Sequence, residues 1–192
     1  MSADNQELID FLETLKGTSS FENEDLAELV DYLGGAEELD LPPELLADED
    51  AEPDTKDVRT LIGRMSIPQK LKTAMFGNAS CRAILINDGN RLIQMAVLKN
   101  PKIQEKDIAD FAKSTNISRN ILRAISNNRQ WSKPYSVKLN LVCNPKSPID
   151  IAIKWLRFIN LSDMKKIARS KNIPTAVVTQ AKKRLELAQK KK

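Results

Sequence analysis

The chain has 192 residues, 41% of them hydrophobic and 5% aromatic, no histidine, and 30 Lys or Arg against 26 Asp or Glu, for a formal net charge of +4. The length suits one domain and a tail, and the missing histidine removes His-based metal ligation and a His general base. No run approaches the roughly 18 apolar residues that would cross a bilayer, and the polar, acidic start Met1-Ser2-Ala3-Asp4 argues against a signal or transit peptide.

The charge is divided along the chain. Residues 1–58 hold 19 acids against Lys16 and Lys56, a net of −17, whereas residues 59–192 hold 28 Lys or Arg against 7 acids, a net of +21. Such a split is information about partners rather than about fold. The two cysteines, Cys81 and Cys143, lack metal-ligand spacing and sit in apolar helical stretches, so buried free thiols in a cytoplasmic protein are expected.

In chain order, residues 1–46 read as an acidic arm of short amphipathic helices. Leu8, Phe11, Leu12 and Leu15 recur at helical spacing up to Gly17, and Leu26, Leu29, Val30 and Leu33 do so up to Gly34-Gly35. A shorter piece follows at Leu39–Leu46, and residues 47–57 read as a linker without an apolar anchor. Two dispositions fit the arm: a largely mobile segment with transient helices, or a helical hairpin docked on the rest. Leu8, Phe11, Leu12, Leu26, Leu29 and Leu33 are its candidate partner-binding residues, in the manner of an amphipathic helix laid in a groove.

Residues 58–192 read as an all-α body. Pro68 divides residues 58–77 into two helices, and Gly77-Asn78 closes the second. Cys81 to Ile86 ends at the Asn87-Asp88-Gly89-Asn90 turn. Leu92 to Leu98 is apolar almost all round and is therefore expected to be buried. Further helices are centred on Ile108–Ala112, Ile117–Ile125, Val137–Val142, Ile149–Ile159 and Met164–Ala168, and a last one opens at Pro174.

Lys99-Asn100-Pro101-Lys102 returns as Cys143-Asn144-Pro145-Lys146, 44 residues later. Asn116, Ser118, Ala124, Ser126 and Asn128 return at the same offset, giving 8 identities in the 29 positions 100–128. Asn closes or caps helices and Pro opens them. The spacing therefore predicts a three-helix repeat, and the alternation at Val137, Leu139 and Leu141 is read as helix because the repeat aligns it with the Met95–Leu98 helix. Short helices of this kind bury their faces by stacking.

The stretch Ser136–Ala152, with Val137-Lys138 before Asn144-Pro145-Lys146-Ser147-Pro148 and Ile149 after it, resembles the leucine-rich-repeat-variant and HEAT-like families. The resemblance covers about residues 78–180 and implies a HEAT-like α-solenoid. The first copy departs by lacking the second Pro. The iron–sulfur cluster of some variant proteins has no counterpart, since residues 1–80 contain no Cys.

No catalytic motif, cofactor fingerprint or metal cluster is found, so no enzyme activity and no cofactor are expected. HEAT-like DNA glycosylases are one enzymatic precedent, for which Trp131, Tyr135, Asp150 and Trp155 have the residue types without a motif. The binding candidates are Lys99, Lys102, Lys113, Arg119, Arg123, Arg129, Trp131, Lys133, Tyr135, Lys138, Lys146, Lys154, Arg157, Lys165, Lys166 and Arg169. Lys102 and Lys146, like Lys113 and Arg157, hold corresponding repeat positions and would line one ridge. Trp131 and Tyr135, interleaved with Arg129 and Lys133, suit either packing between units or stacking against a ligand. The leading expectation is a non-enzymatic protein–protein adaptor with a basic surface for an acidic partner, the arm acting as a second binding segment or as an intramolecular cover. The alternative is a nucleic-acid-binding protein using the same cations on phosphates.

Overall fold

The computed structural model describes residues 3–16, 23–35, 41–46 and 55–189, which among them contain helices and no strand. The chain divides into two compact units, Met1–Ile103 and Gln104–Lys192. Of the linker expected at 47–57, residues 47–54 lie outside the described residues and residues 55–57 are helical. The division falls near residue 103, not at the acidic-to-basic junction near 58. The amino-terminal unit holds 20 acids against 10 Lys or Arg, a net of −10, and the carboxy-terminal unit 20 Lys or Arg against 6 acids, a net of +14.

The amino-terminal unit contains α1 (Ala3–Leu15), α2 (Asn23–Gly35), a 3-10 turn at Pro43–Leu45, α3 (Thr55–Arg64), α4 (Ile67–Phe76), α5 (Ala79–Leu85) and α6 (Arg91–Val97). The described part of the arm is the docked hairpin: α1 packs on both α2 and α4. The apolar spacing of Leu8, Phe11, Leu12 and Leu15 puts them on one helical face, and that face is spent on this interior. At the helix start, Asp4 pairs with the buried ammonium of Lys72 on α4 at 3.2 Å. The 3-10 turn is tied in by its backbone, where Asn78 N–H donates to Leu45 O at 2.9 Å.

Met65 and Ser66 interrupt the helix as Pro68 requires. Ser66 caps α4, its backbone N–H donating to Gln69 Oε1 at 3.0 Å. Gly77 then lets α5 come close. A Cβ there would collide with Thr73 O and lie 2.8 Å from Cys81 Cβ. The helix predicted to be apolar all round is α6, with Leu92, Ile93, Ala96 and Val97 buried against α4.

The carboxy-terminal unit contains α7 (Glu105–Lys113), α8 (Arg119–Asn127), α9 (Tyr135–Cys143), α10 (Ile149–Leu156), α11 (Leu161–Arg169) and α12 (Thr175–Gln189). Val137–Val142 is helical, as the repeat alignment required and the two-residue alternation did not. α7 packs on α9, α9 on α10, α10 on α12 and α11 on α12. The core is aliphatic, with Ile108, Ile121, Leu122, Ile125, Val137, Leu141, Leu156 and Val177 all 1% exposed or less.

The two Asn-Pro-Lys stretches do the same work, one in each unit. Asn100 Nδ2 donates to Ala74 O (3.1 Å) and Gly77 O (3.0 Å) at the end of α4, while its Oδ1 accepts from Lys102 N–H (2.8 Å). Asn144 Nδ2 donates to Ala112 O and Ser114 O, both at 2.8 Å, at the end of α7, while its Oδ1 accepts from Lys146 N–H (2.9 Å). Both side chains are buried. Each therefore ties the last carbonyls of an earlier helix, which lack intrahelical donors, to a turn about 23 to 32 residues further on.

Candidate basic–aromatic interface

The carboxy-terminal unit brings cations and rings together where α9 meets the end of α10. Trp155 is interior, and its Nε1–H donates to Ser126 Oγ at 2.8 Å. Its ring is flanked by two ammonium groups, Lys154 Nζ at 4.8 Å and Lys138 Nζ at 5.9 Å from the centroid. Lys138 Nζ also stands 5.8 Å from the ring of Phe158, which lies 5.6 Å from Trp155 at an interplanar angle of 49°. Lys138 Nζ donates to Lys133 O at 2.7 Å. Neither Lys138 nor Lys154 has a carboxylate partner among the described residues. An aromatic face attracts an ammonium group without neutralising it, so both can still engage an anion.

Exposed apolar groups lie beside them: Phe158 is 58% exposed, Leu161 50% and Tyr135 39%, while Ile149, 49% exposed, stands at the other end of α10. Phe158, Leu161 and Ile149 were not singled out as binding residues from the sequence. The reason is geometric: α10 ends at Leu156, so Phe158 sits in the turn, off the buried face on which Ile151, Ala152, Trp155 and Leu156 lie. An aromatic placed two residues past Leu156, the last core position of the helix, was the available signal.

A network on the same unit fixes α9 to α11. Tyr135 OH donates to Asp163 Oδ2 at 2.7 Å and accepts from Asn160 N–H at 3.4 Å, and Lys166 Nζ donates to Asp163 Oδ1 at 2.9 Å. These bonds, Lys166 first and Tyr135 second, hold the Asp163 carboxyl below the usual carboxylate range, and the Tyr135 hydroxyl is raised above its own, first by loss of hydration and then by Asp163. A depressed carboxyl contributes stability above the pKa it has in the unfolded chain, and that contribution is lost as pH falls through the folded value. Carboxyl-carbon NMR titration should therefore find Asp163 protonating at lower pH than an ordinary aspartate, with Tyr135→Phe moving it partly back and Lys166→Ala moving it further.

The remaining candidates are distributed as follows. Lys113, Arg119, Arg129, Lys133, Lys146, Arg157, Lys165 and Arg169 are exposed in the carboxy-terminal unit, and Lys99 and Lys102 are exposed in the amino-terminal one. Lys102 and Lys146 thus belong to separate units. Arg123 is engaged, its Nη1 and Nη2 reaching Asp150 at 3.0 and 3.4 Å. Both partners are largely exposed, so Arg123→Ala should change unfolding stability by no more than about 0.5 kcal/mol in urea melts. Trp131 is half-buried, its backbone N–H on Asn128 Oδ1 at 3.2 Å.

The arm candidates are placed differently from the expectation. Leu8, Phe11, Leu12, Leu26 and Leu33 are 5% exposed or less, and Leu29 is half-buried. They face the interior of the amino-terminal unit, so a partner would reach them through opening of the hairpin. Cys81 is buried, which pushes its thiol up to about 11. Cys143 is half-buried and its thiol is also raised, first by burial and then by Asp163. Among the described residues there is no group of three or more His, Cys, Asp or Glu able to hold a metal, and no helix long and apolar enough to cross a membrane.

No protein-family model, curated protein or solved structure matches this chain.

Proposed function

We propose that the protein is a non-enzymatic adaptor whose carboxy-terminal unit binds an acidic partner protein through the basic–aromatic face of Tyr135, Lys138, Lys154, Phe158 and Leu161. The observation that carries this reading is the pair Lys138 and Lys154, seated on Trp155 instead of on carboxylates and bordered by exposed apolar side chains. Interface hot spots combine such aromatic anchors with charge, and a cluster of exposed apolar groups marks an interaction site more often than one standing alone. The exposed aliphatic Leu161 suits a protein partner, while the exposed rings of Phe158 and Tyr135 would serve a base as well, so the two readings are separated by experiment.

Two further features belong to this proposal. The recurring bonds of Asn100 and Asn144, and the packing of first on third helix in α4–α6, α7–α9 and α10–α12, support a HEAT-like helical repeat with a three-helix period, the solenoid implied by the resemblance. Free Cys81 and Cys143 suit a cytoplasmic site of action. The acidic arm serves as a second binding segment through its exposed Glu7, Asp10 and Glu13. Since α1 covers α4, neutralising those acids tests that role more cleanly than deleting the arm.

The test is a pair of anisotropy titrations of the full chain at about 0.05 and 0.2 M salt. One uses a labelled Glu- and Leu-rich helical peptide and the other a single-stranded RNA of equal charge; phosphate contacts would give the RNA the steeper salt dependence. The adaptor reading expects the peptide to bind at both salts and to outlast the RNA at the higher one. Retention of RNA alone would overturn it in favour of nucleic-acid binding.

A further inference from the structure

An open pocket of about 410 Å³ lies in the carboxy-terminal unit, lined by Leu139 and Cys143 of α9, Asp163, Lys166 and Ile167 of α11, and Ser170, Asn172 and Ile173 beyond it. Its position follows from helix geometry. Leu139 and Cys143 are four apart on α9, and Asp163, Lys166 and Ile167 share one face of α11. Leu139, Ile167 and Ile173 make it apolar. Its single carboxylate, Asp163, is already satisfied by Tyr135 and Lys166. Lys166, 77% exposed and paired with Asp163, lines the pocket, and Lys171 is exposed between the lining residues Ser170 and Asn172.

We propose that this pocket seats the apolar anchor of an acidic partner segment, a Leu-, Met- or Phe-class side chain flanked by Asp or Glu. The inference rests on the adaptor reading above and specifies what such a partner must look like. Charge complementarity selects the occupant: the unit carries a net +14, and the exposed Lys171 adjoins two residues that line the apolar hole. The same charge opposes a second copy of this unit, and walls without an aromatic ring give a nucleobase nothing to stack on. The volume lies at the low end of the roughly 300–1,000 Å³ of small-molecule sites, and the pocket is open, which suits one side chain presented by a segment lying on the surface.

Cys143 supplies a test that needs no core substitution. N-ethylmaleimide should alkylate Cys143 and fill the pocket, while Cys81, with no exposed surface and a thiol near 11, stays unmodified. A random dodecapeptide display library is selected on the full chain, and the best peptide is titrated against untreated protein, alkylated protein and an alkylated Cys143→Ser control. Expected are enriched peptides with an apolar residue between acids, a loss of affinity of about tenfold or more on alkylation, and no loss in the control. Enrichment of acids without an apolar preference, together with indifference to alkylation, would overturn the pocket and leave the basic face standing. Absence of acidic enrichment would overturn both.

Discussion

Asn144→Ala is expected to lower the stability of the carboxy-terminal unit by about 3 kcal/mol, the consequence of stranding buried polar groups rather than of removing one bond. The side chain satisfies Ala112 O and Ser114 O and holds the turn through Lys146 N–H, all from a buried position. Alanine takes away the donor that Ala112 O and Ser114 O share at the end of α7. Asn144→Asp should be no milder: it keeps the acceptor, loses both donors and sets a charge against the two carbonyls. Both tryptophans, Trp131 and Trp155, lie in this unit, so its unfolding can be followed by fluorescence in urea, and a midpoint shift at unchanged slope is the expected result. A change below about 1 kcal/mol would mean that the turn finds other partners and that the Asn-Pro-Lys recurrence is not what ties these helices together.

The second large effect is on binding. Lys138→Glu with Lys154→Glu should reduce affinity for an acidic peptide by about 100-fold or more, since each reversal replaces attraction by repulsion beside an apolar contact. Lys154 is exposed and Lys138 half-buried, and Lys138→Glu also gives up the bond to Lys133 O, so the fold should survive with a fall in stability of about 1 kcal/mol. Lys182→Glu with Lys183→Glu, an equal change in net charge on exposed positions of α12, is the control. If the two double variants lose affinity equally, diffuse charge explains binding and the basic–aromatic face has no special role.

Much of the secondary structure was legible because it is written locally. Pro68, Gly77 and the Asn87–Asn90 turn each stop or start a helix by backbone chemistry, and they do so at the expected places. The repeat decided Val137–Val142, where pattern alone pointed to a strand. The repeat also has a limit. Asn160 caps α11 by accepting from Asp163 N–H, yet its aligned partner Asn116 does not cap α8, whose cap position is Ser118. Identity at an offset fixed the neighbourhood of the turn but not the residue that closes it.

The site was less legible because its parts meet through tertiary packing. Tyr135, Lys138 and Lys154 were on the candidate roll for charge and aromaticity, but nothing local says that two lysines 16 residues apart share the ring of Trp155. The pocket joins Cys143 to Ser170 and Asn172 across the α9–α11 contact, which no sequence spacing announces. Conversely, Leu8 and Leu12 have the periodicity of a partner-seeking helix and of a buried one alike. The presence of α4 as a packing surface in the same unit is what separates the two.

The adaptor account is tested most directly by mapping where an acidic, leucine-bearing peptide touches the full chain, using NMR shift perturbation of backbone amides and lysine side chains. The account predicts that saturable shifts gather at Tyr135, Lys138, Lys154, Phe158, Leu161 and Lys166. Shifts spread evenly over the exposed cations, or centred on Lys182–Arg184, would contradict it.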